Sequence, residues 1–230
     1  TKRGEIMREL SFCITEAEEI RDAAVGETVS IVFPGTSVEG LDLGRLDQTT
    51  TITMNEMIGR ICADYTIIVN ERALESTMLY FRYRAETNLV ISSVVAERLD
   101  RNPPIDYRSG LNAAELTENL DGVTFWNDWS SERSVSTVAL DLAKWLGANR
   151  VDLYGLDLCS PVARTHAYGV RTARDRDGIE VSPGLYQFDG WKRVQREIEE
   201  AAATMRWGKM KICNRSEISV LDCFSKGCDE

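Results

Sequence analysis

The chain has 230 residues, a formal net charge of −10, 43% hydrophobic and 28% charged residues. That apolar content supports a packed core and excludes long disorder, while the acidic field opposes non-specific adhesion to polyanions. No apolar run approaches the ~20 residues that span a bilayer and the first residues carry no secretory h-region, so a cytoplasmic chain forming a single domain over residues 1–230 is expected.

Apolar residues over 5–24 (Ile6, Leu10, Cys13, Ile14, Ile20) recur at helical spacing before Gly26, which predicts an amphipathic opening helix. Residues 28–33, TVSIVF, form a β-rich run that stops at Pro34-Gly35 and read as a strand buried on both faces. Further strands are predicted at 50–54, 65–69, 89–92 and 123–126. A helix over 132–146 is closed by Gly147, and a strand over 150–154 follows. A long loop then leads to a helix over 191–205 and a last strand over 209–213. Strands alternating with helices imply right-handed crossovers and an α/β, Rossmann-like fold with a mostly parallel sheet sandwiched by helices. The loop exceeds ordinary connection lengths, so residues 160–184 are expected to form a mobile lid. Asn102-Pro103-Pro104 marks an exposed connection, and Trp126 and Trp129 suit either ring stacking on a ligand or core packing.

The six cysteines (Cys13, Cys62, Cys159, Cys213, Cys223, Cys228) include no CxxC pair, and His166 is the one histidine, so reduced thiols and no metal site are expected. Asp175-Arg176-Asp177 has the outline of a DxD metal motif but lies within a charged run better read as a solvated lid.

Ligands of open parallel sheets bind outside the carboxyl ends of the strands. Those ends carry Gly35-Thr36-Ser37, Asn55-Glu56, Asn70-Glu71 and Gly155-Leu156-Asp157. Glycine allows close backbone approach and asparagine offers both donor and acceptor to a base or ribose, although the same residues also serve as plain turns.

In order along the chain, these residues resemble the bacterial sialyltransferases that decorate lipooligosaccharides. Phe33-Pro34-Gly35-Thr36-Ser37-Val38 resembles that family's GNGPSL turn, and Arg133-Ser134-Val135-Ser136 resembles its Arg-x-x-Ser helix start. Trp145-Leu146-Gly147 through Asp157 is similar to its ALG…IYLSGID stretch, and residues 209–216 to its closing IYCLCPNS. The resemblance covers about residues 28–216 and implies an inverting, metal-independent glycosyltransferase that takes a sugar from a CMP-sialic-acid-like or other nucleotide-sugar donor. The acceptor would be a glycan, a small molecule or a modified base.

The resemblance assigns Gly35, Thr36, Ser37, Asn55, Asn70, Arg133, Ser136, Asp157 and Tyr168 to the donor, with His166 and Asp189 as catalytic groups. His166 and Tyr168 would reach the leaving phosphate from the lid. Arg133 beside a helix N-terminus would supply positive charge for it. Three positions depart from the pattern: Pro34 replaces an asparagine, Cys159 a tyrosine, and Asp189 the histidine base. Asp189 works as a base at neutral pH only if burial or a carboxylate neighbour raises its pKa; otherwise it belongs to the helix start as a cap.

Two other readings share these motifs. One is a hydroxymethylpterin-type pyrophosphokinase using ATP and magnesium, for which Glu56, Glu71 and Asp157 are the available carboxylates. The other is a non-catalytic nucleotide- or glycan-binding module.

Overall fold

The computed structural model describes residues 14–42, 46, 48–69, 73–74, 87–92, 95, 122–125, 133–161 and 178–228. The chain is a Rossmann-like α/β protein with mostly parallel strands. It groups into two compact units, residues 1–21 with 53–135 and residues 22–52 with 136–230.

In the first unit four strands run parallel in the order β1 (Ile14–Glu16), β6 (Gly122–Phe125), β5 (Asn88–Ile91) and β4 (Tyr65–Ile68). Leu89, Val90, Ile67 and Ile68 are fully buried, as expected for parallel strands covered on both faces. The buried hydroxyls among them are paired: Thr66 with Thr87 at 3.0 Å, and Thr124 donating to Asn88 Oδ1 at 2.8 Å.

This unit corrects the opening helix. Residues 14–16 pair in parallel with β6, and Ala17–Ile20 form a single 3₁₀ turn that buries Ala17 and Ile20. Helical spacing over so short a stretch also fits a strand leading into a 3₁₀ turn, and cross-strand pairing decides between them. The predicted helix's first residues, 5–13, lie outside the described set, as do Asn102-Pro103-Pro104, Trp126 and Trp129.

In the second unit β2 (Thr28–Val32), β7 (Arg150–Tyr154), β11 (Lys211–Asn214) and β12 (Ser225–Lys226) are parallel in that order. β3 (Thr50–Met54) contributes its first three residues here and neighbours β2 on the side opposite β7. The chain therefore leaves β2 in one direction and returns on its other side, which makes the carboxyl ends of β2 and β7 a topological switch point.

Helix α1 (Val135–Trp145) buries Val138, Ala139, Leu142 and Ala143. It ends as predicted at Gly147, whose φ of 85° suits glycine. The Gly147 N–H bonds the Lys144 carbonyl and the Ala148 N–H the Ala143 carbonyl, each at 3.1 Å, the paired bonds of a Schellman stop. Helix α2 (Asp189–Ala203) is followed by Arg206 and Trp207, and both hold α1 through Asp141. Arg206 donates from Nε at 2.7 Å and Nη2 at 2.6 Å, and Trp207 from Nε1 at 3.0 Å. The bonds to Asp141 push the Arg206 guanidinium above its ordinary value, against the opposing effect of burial.

On β7, Arg150 and Asp152 are two apart and so share one face. Asp152 accepts from Arg150 Nε and from Arg215 Nη2, both at 3.0 Å. Burial and then Asp152 push the neighbouring Tyr154 phenol up, with Arg215 and Arg150 opposing.

Two further expectations change here. The segment expected as a loop between β7 and α2 contains β8 (Ser160–Pro161), β9 (Ile179–Ser182) and β10 (Leu185–Gln187), an antiparallel sheet ordered β8-β10-β9. Pro183-Gly184 turns β9 into β10, with φ of 75° at Gly184 as a type II turn requires. The rest of the proposed lid, residues 162–177, lies outside the described set, and Asp175 and Asp177 with it. The expectation of reduced thiols fails at Cys213 and Cys228, which form a disulfide. β12 brings them together with Cα atoms 5.7 Å apart, within the span a disulfide bridges. Among the described residues no helix is long and apolar enough to cross a membrane.

Candidate functional site

The switch point in the second unit is built from three turns that follow β2, β7 and β11. The β2 strand register continues past its end, with the Phe33 N–H on the Tyr154 carbonyl at 2.8 Å and the Gly35 N–H on the Gly155 carbonyl at 3.0 Å. These bonds draw two backbones so close that side chains are excluded from both. A Cβ on Gly35 would collide with the Gly155 carbonyl oxygen and the Asp157 carboxylate, and one on Gly155 with the Phe33 carbonyl oxygen and Val38.

Asp157 locks the arrangement. It is 1% exposed, and its two oxygens accept from Ser37, Oδ2 from the backbone N–H at 2.8 Å and Oδ1 from the hydroxyl at 2.5 Å. The Ser37 hydroxyl also lies 3.0 Å from that of Ser216, and the Ser216 N–H bonds Asn214 Oδ1 at 3.1 Å. One carboxylate and three small polar side chains thus tie the ends of β2, β7 and β11 together.

Among the described residues, two buried polar atoms in this cluster have no hydrogen-bond partner: Thr36 Oγ1 and Asn214 Nδ2. A donor or acceptor left so costs roughly 1–3 kcal/mol unless a water or a ligand meets it. In the first unit Asn55 behaves alike. It follows β3 with φ of 50°, and its Oδ1 is buried without a partner among the described residues.

The other expected site residues distribute as follows. Gly35, Thr36, Ser37 and Asp157 come together. The Gly35 N–H is engaged by Gly155, and Asp157 is engaged by Ser37. Ser136 is buried on the first turn of α1, and Arg133 is half-buried before that helix. Asn70, His166 and Tyr168 lie outside the described residues, as does Glu71. Asp189 opens α2 with its side chain 92% exposed and paired to Lys192 at 3.2 Å. It is the first helical residue rather than the cap, which is Phe188, and it lacks the burial that a base at neutral pH requires.

Cys159, at the position of a family tyrosine, is buried and donates its thiol to the Ile218 carbonyl. Burial, and then Asp157, push that thiol up to about 11, so it stays protonated at neutral pH. Among the described residues no group of three or more histidine, cysteine or acidic side chains is arranged to hold a metal.

Sequence reasoning missed Asn214 and Ser216 as site residues. Their signal was available: Asn214 ends a strand as Asn55 does, and Ser216 follows it by two, the spacing of an Asx turn. No family model and no curated protein matches the chain.

Proposed function

We propose that the chain is a nucleotide-dependent transferase, and specifically an inverting glycosyltransferase drawing on a nucleotide-sugar donor without a metal. The observation that carries this reading is the pair of unpartnered buried polar atoms, Thr36 Oγ1 and Asn214 Nδ2, beside a glycine-only backbone approach at the switch point. Parallel sheets bind phosphorylated ligands there. The ordered resemblance to sialyltransferases supplies the reaction class. Thr36 and Asn214 would contact the phosphate-bearing part of the donor, with the Asp157–Ser37 lock holding their turns in place. His166 would meet the leaving phosphate, and a nucleotide-sugar donor would place the protein in the cytoplasm. Asp157, one of the carboxylates that the magnesium-dependent pyrophosphokinase reading needs, has both oxygens engaged by Ser37.

Thermal unfolding with a panel of nucleoside mono- and diphosphates and CMP- and UDP-sugars tests the proposal. A true ligand at 100 times its Kd adds about 2.7 kcal/mol of stability. Thr36→Val is expected to leave the ligand-free protein as stable or slightly more so, because an unsatisfied hydroxyl becomes a methyl, and to weaken binding by about 1 kcal/mol. If no nucleotide stabilises the protein, the reading fails. Turnover that disappears in EDTA and returns with magnesium would transfer it to the pyrophosphokinase class, and binding without turnover to a binding module.

A further inference from the structure

Beyond β11 the chain runs back across the end of β7 as a strap, residues 215–228, fastened to the loop 155–159 at residues 218–220. The Ser219 hydroxyl donates to the Leu156 carbonyl at 2.7 Å, the Val220 N–H to the Asp157 carbonyl at 3.1 Å, and the Cys159 thiol to the Ile218 carbonyl at 2.8 Å. This is the loop whose Asp157 carboxylate holds Ser37. The strap's apolar anchorage is buried Leu221 and half-buried Phe224, whose ring centroid lies 5.9 Å from that of Trp207, while residues 222, 223 and 225–227 are exposed.

Past Phe224 the fixings are slight apart from one covalent bond. β12 has two residues and stands at the edge of its sheet, and a pairing that short does not persist unaided. Lys226 Nζ donates to the Ser219 carbonyl at 3.1 Å, and Arg150 Nη2 to the Cys228 carbonyl at 3.4 Å. The Cys213–Cys228 disulfide, spanning 15 residues, closes the strap onto fully buried Cys213.

We propose that Cys213–Cys228 is a thiol-responsive closure: a dithiol reductant opens it, frees the strap and loosens the loop 155–159 that shapes the switch-point site. The part concerning the site rests on the function proposed above. The chemistry is two successive exchanges. A dithiol thiolate attacks one sulfur of the bridge, the S–S bond breaks and the other sulfur leaves as a thiolate that takes up a proton. The second dithiol sulfur then displaces the mixed disulfide. The protein gains two electrons and two protons as two thiols, and the dithiol departs as a cyclic disulfide. Opening restores the conformational freedom that the cross-link had removed from the chain. The strap is then held by its hydrogen bonds, Leu221 and the Phe224–Trp207 contact, while β7 and α1 keep their own packing and so remain folded.

Hydrogen exchange on the full chain, with and without dithiothreitol, tests this. Reduction is expected to speed exchange about tenfold or more in residues 216–221 and 156–159, with α1 and residues 151–153 unchanged. Cys228→Ser should exchange like the reduced protein without any reductant. Cys223→Ser, which removes the exposed thiol inside the loop, should respond as the wild type does. Three results would overturn the closure: six titratable thiols in the protein under non-reducing conditions, equal exchange in 156–159 before and after reduction, or simultaneous loss of protection in α1. Nucleotide affinity measured on the same two forms is expected to fall on reduction. An oxidised form that binds no nucleotide defeats the proposed function and leaves the closure to stand or fall on exchange alone.

Discussion

Gly155→Ala is expected to destabilise the second unit by about 3 kcal/mol, combining a left-handed backbone on an L-residue with overpacking. Gly155 has φ of 71°, and an added methyl would meet the Phe33 carbonyl oxygen and lie 2.6 Å from Val38 Cγ1. Neither neighbour can retreat. Phe33 is fixed by its N–H on the Tyr154 carbonyl, and Val38 is buried beneath the turn. For a protein of this size such a loss lowers Tm by roughly 6–12 °C. Gly208 provides the control, because its φ is 64° and nothing lies within 4 Å of the added Cβ. Gly208→Ala therefore bears only the backbone strain, about 1 kcal/mol. Urea unfolding of both variants checks the difference. Equal losses would mean that β2 and β7 do not approach at Gly155 as closely as described.

The same crossing explains how much of the molecule was legible in its sequence. Strands buried on both faces announce themselves as β-branched runs, and β2, β3 and β7 fell within a residue of their expected limits. Gly147 was legible because helix stops depend on local geometry. β1 was not. Its three residues take their conformation from pairing with β6, more than a hundred positions away, and carry no period of their own. β9 and β10 were hidden by their shortness, four and three residues, although the Ile179-Glu180-Val181-Ser182 alternation and the Pro183-Gly184 turn after it were readable signs. The disulfide depended on β12, a two-residue strand too short to leave a pattern. At the site, residue types at strand ends identified Gly35, Thr36, Ser37 and Asp157, which the fold brings together. What sequence had no means to show is that Asp157 faces inward to Ser37, because that contact spans 120 positions.

Asp157→Ala is expected to cost about 3–4 kcal/mol, since it removes two charge-assisted bonds and leaves the Ser37 N–H buried without an acceptor. Asp157→Asn separates the carboxylate's charge from its shape. The amide oxygen can still receive the Ser37 N–H, while the amide nitrogen replaces Oδ1 and donates to the Ser37 hydroxyl. That hydroxyl then turns its proton toward Ser216, whose oxygen is 3.0 Å away. With the Ser37 N–H and hydroxyl both satisfied, the asparagine variant is expected to lose no more than about 1.5 kcal/mol. Ser216→Ala removes the outlet for that proton, so combining it with Asp157→Asn should cost more than the two single changes added together, whereas its effect on the wild type is small. Denaturant midpoints of the four proteins form the test. An asparagine variant as unstable as the alanine one would show that the charge itself is required and that the hydroxyl relay does not operate. Binding and turnover then divide the remaining roles. A residue that only positions the Thr36 turn tolerates asparagine in both measurements. Turnover lost with stability and nucleotide affinity retained would place Asp157 in contact with the reacting atoms.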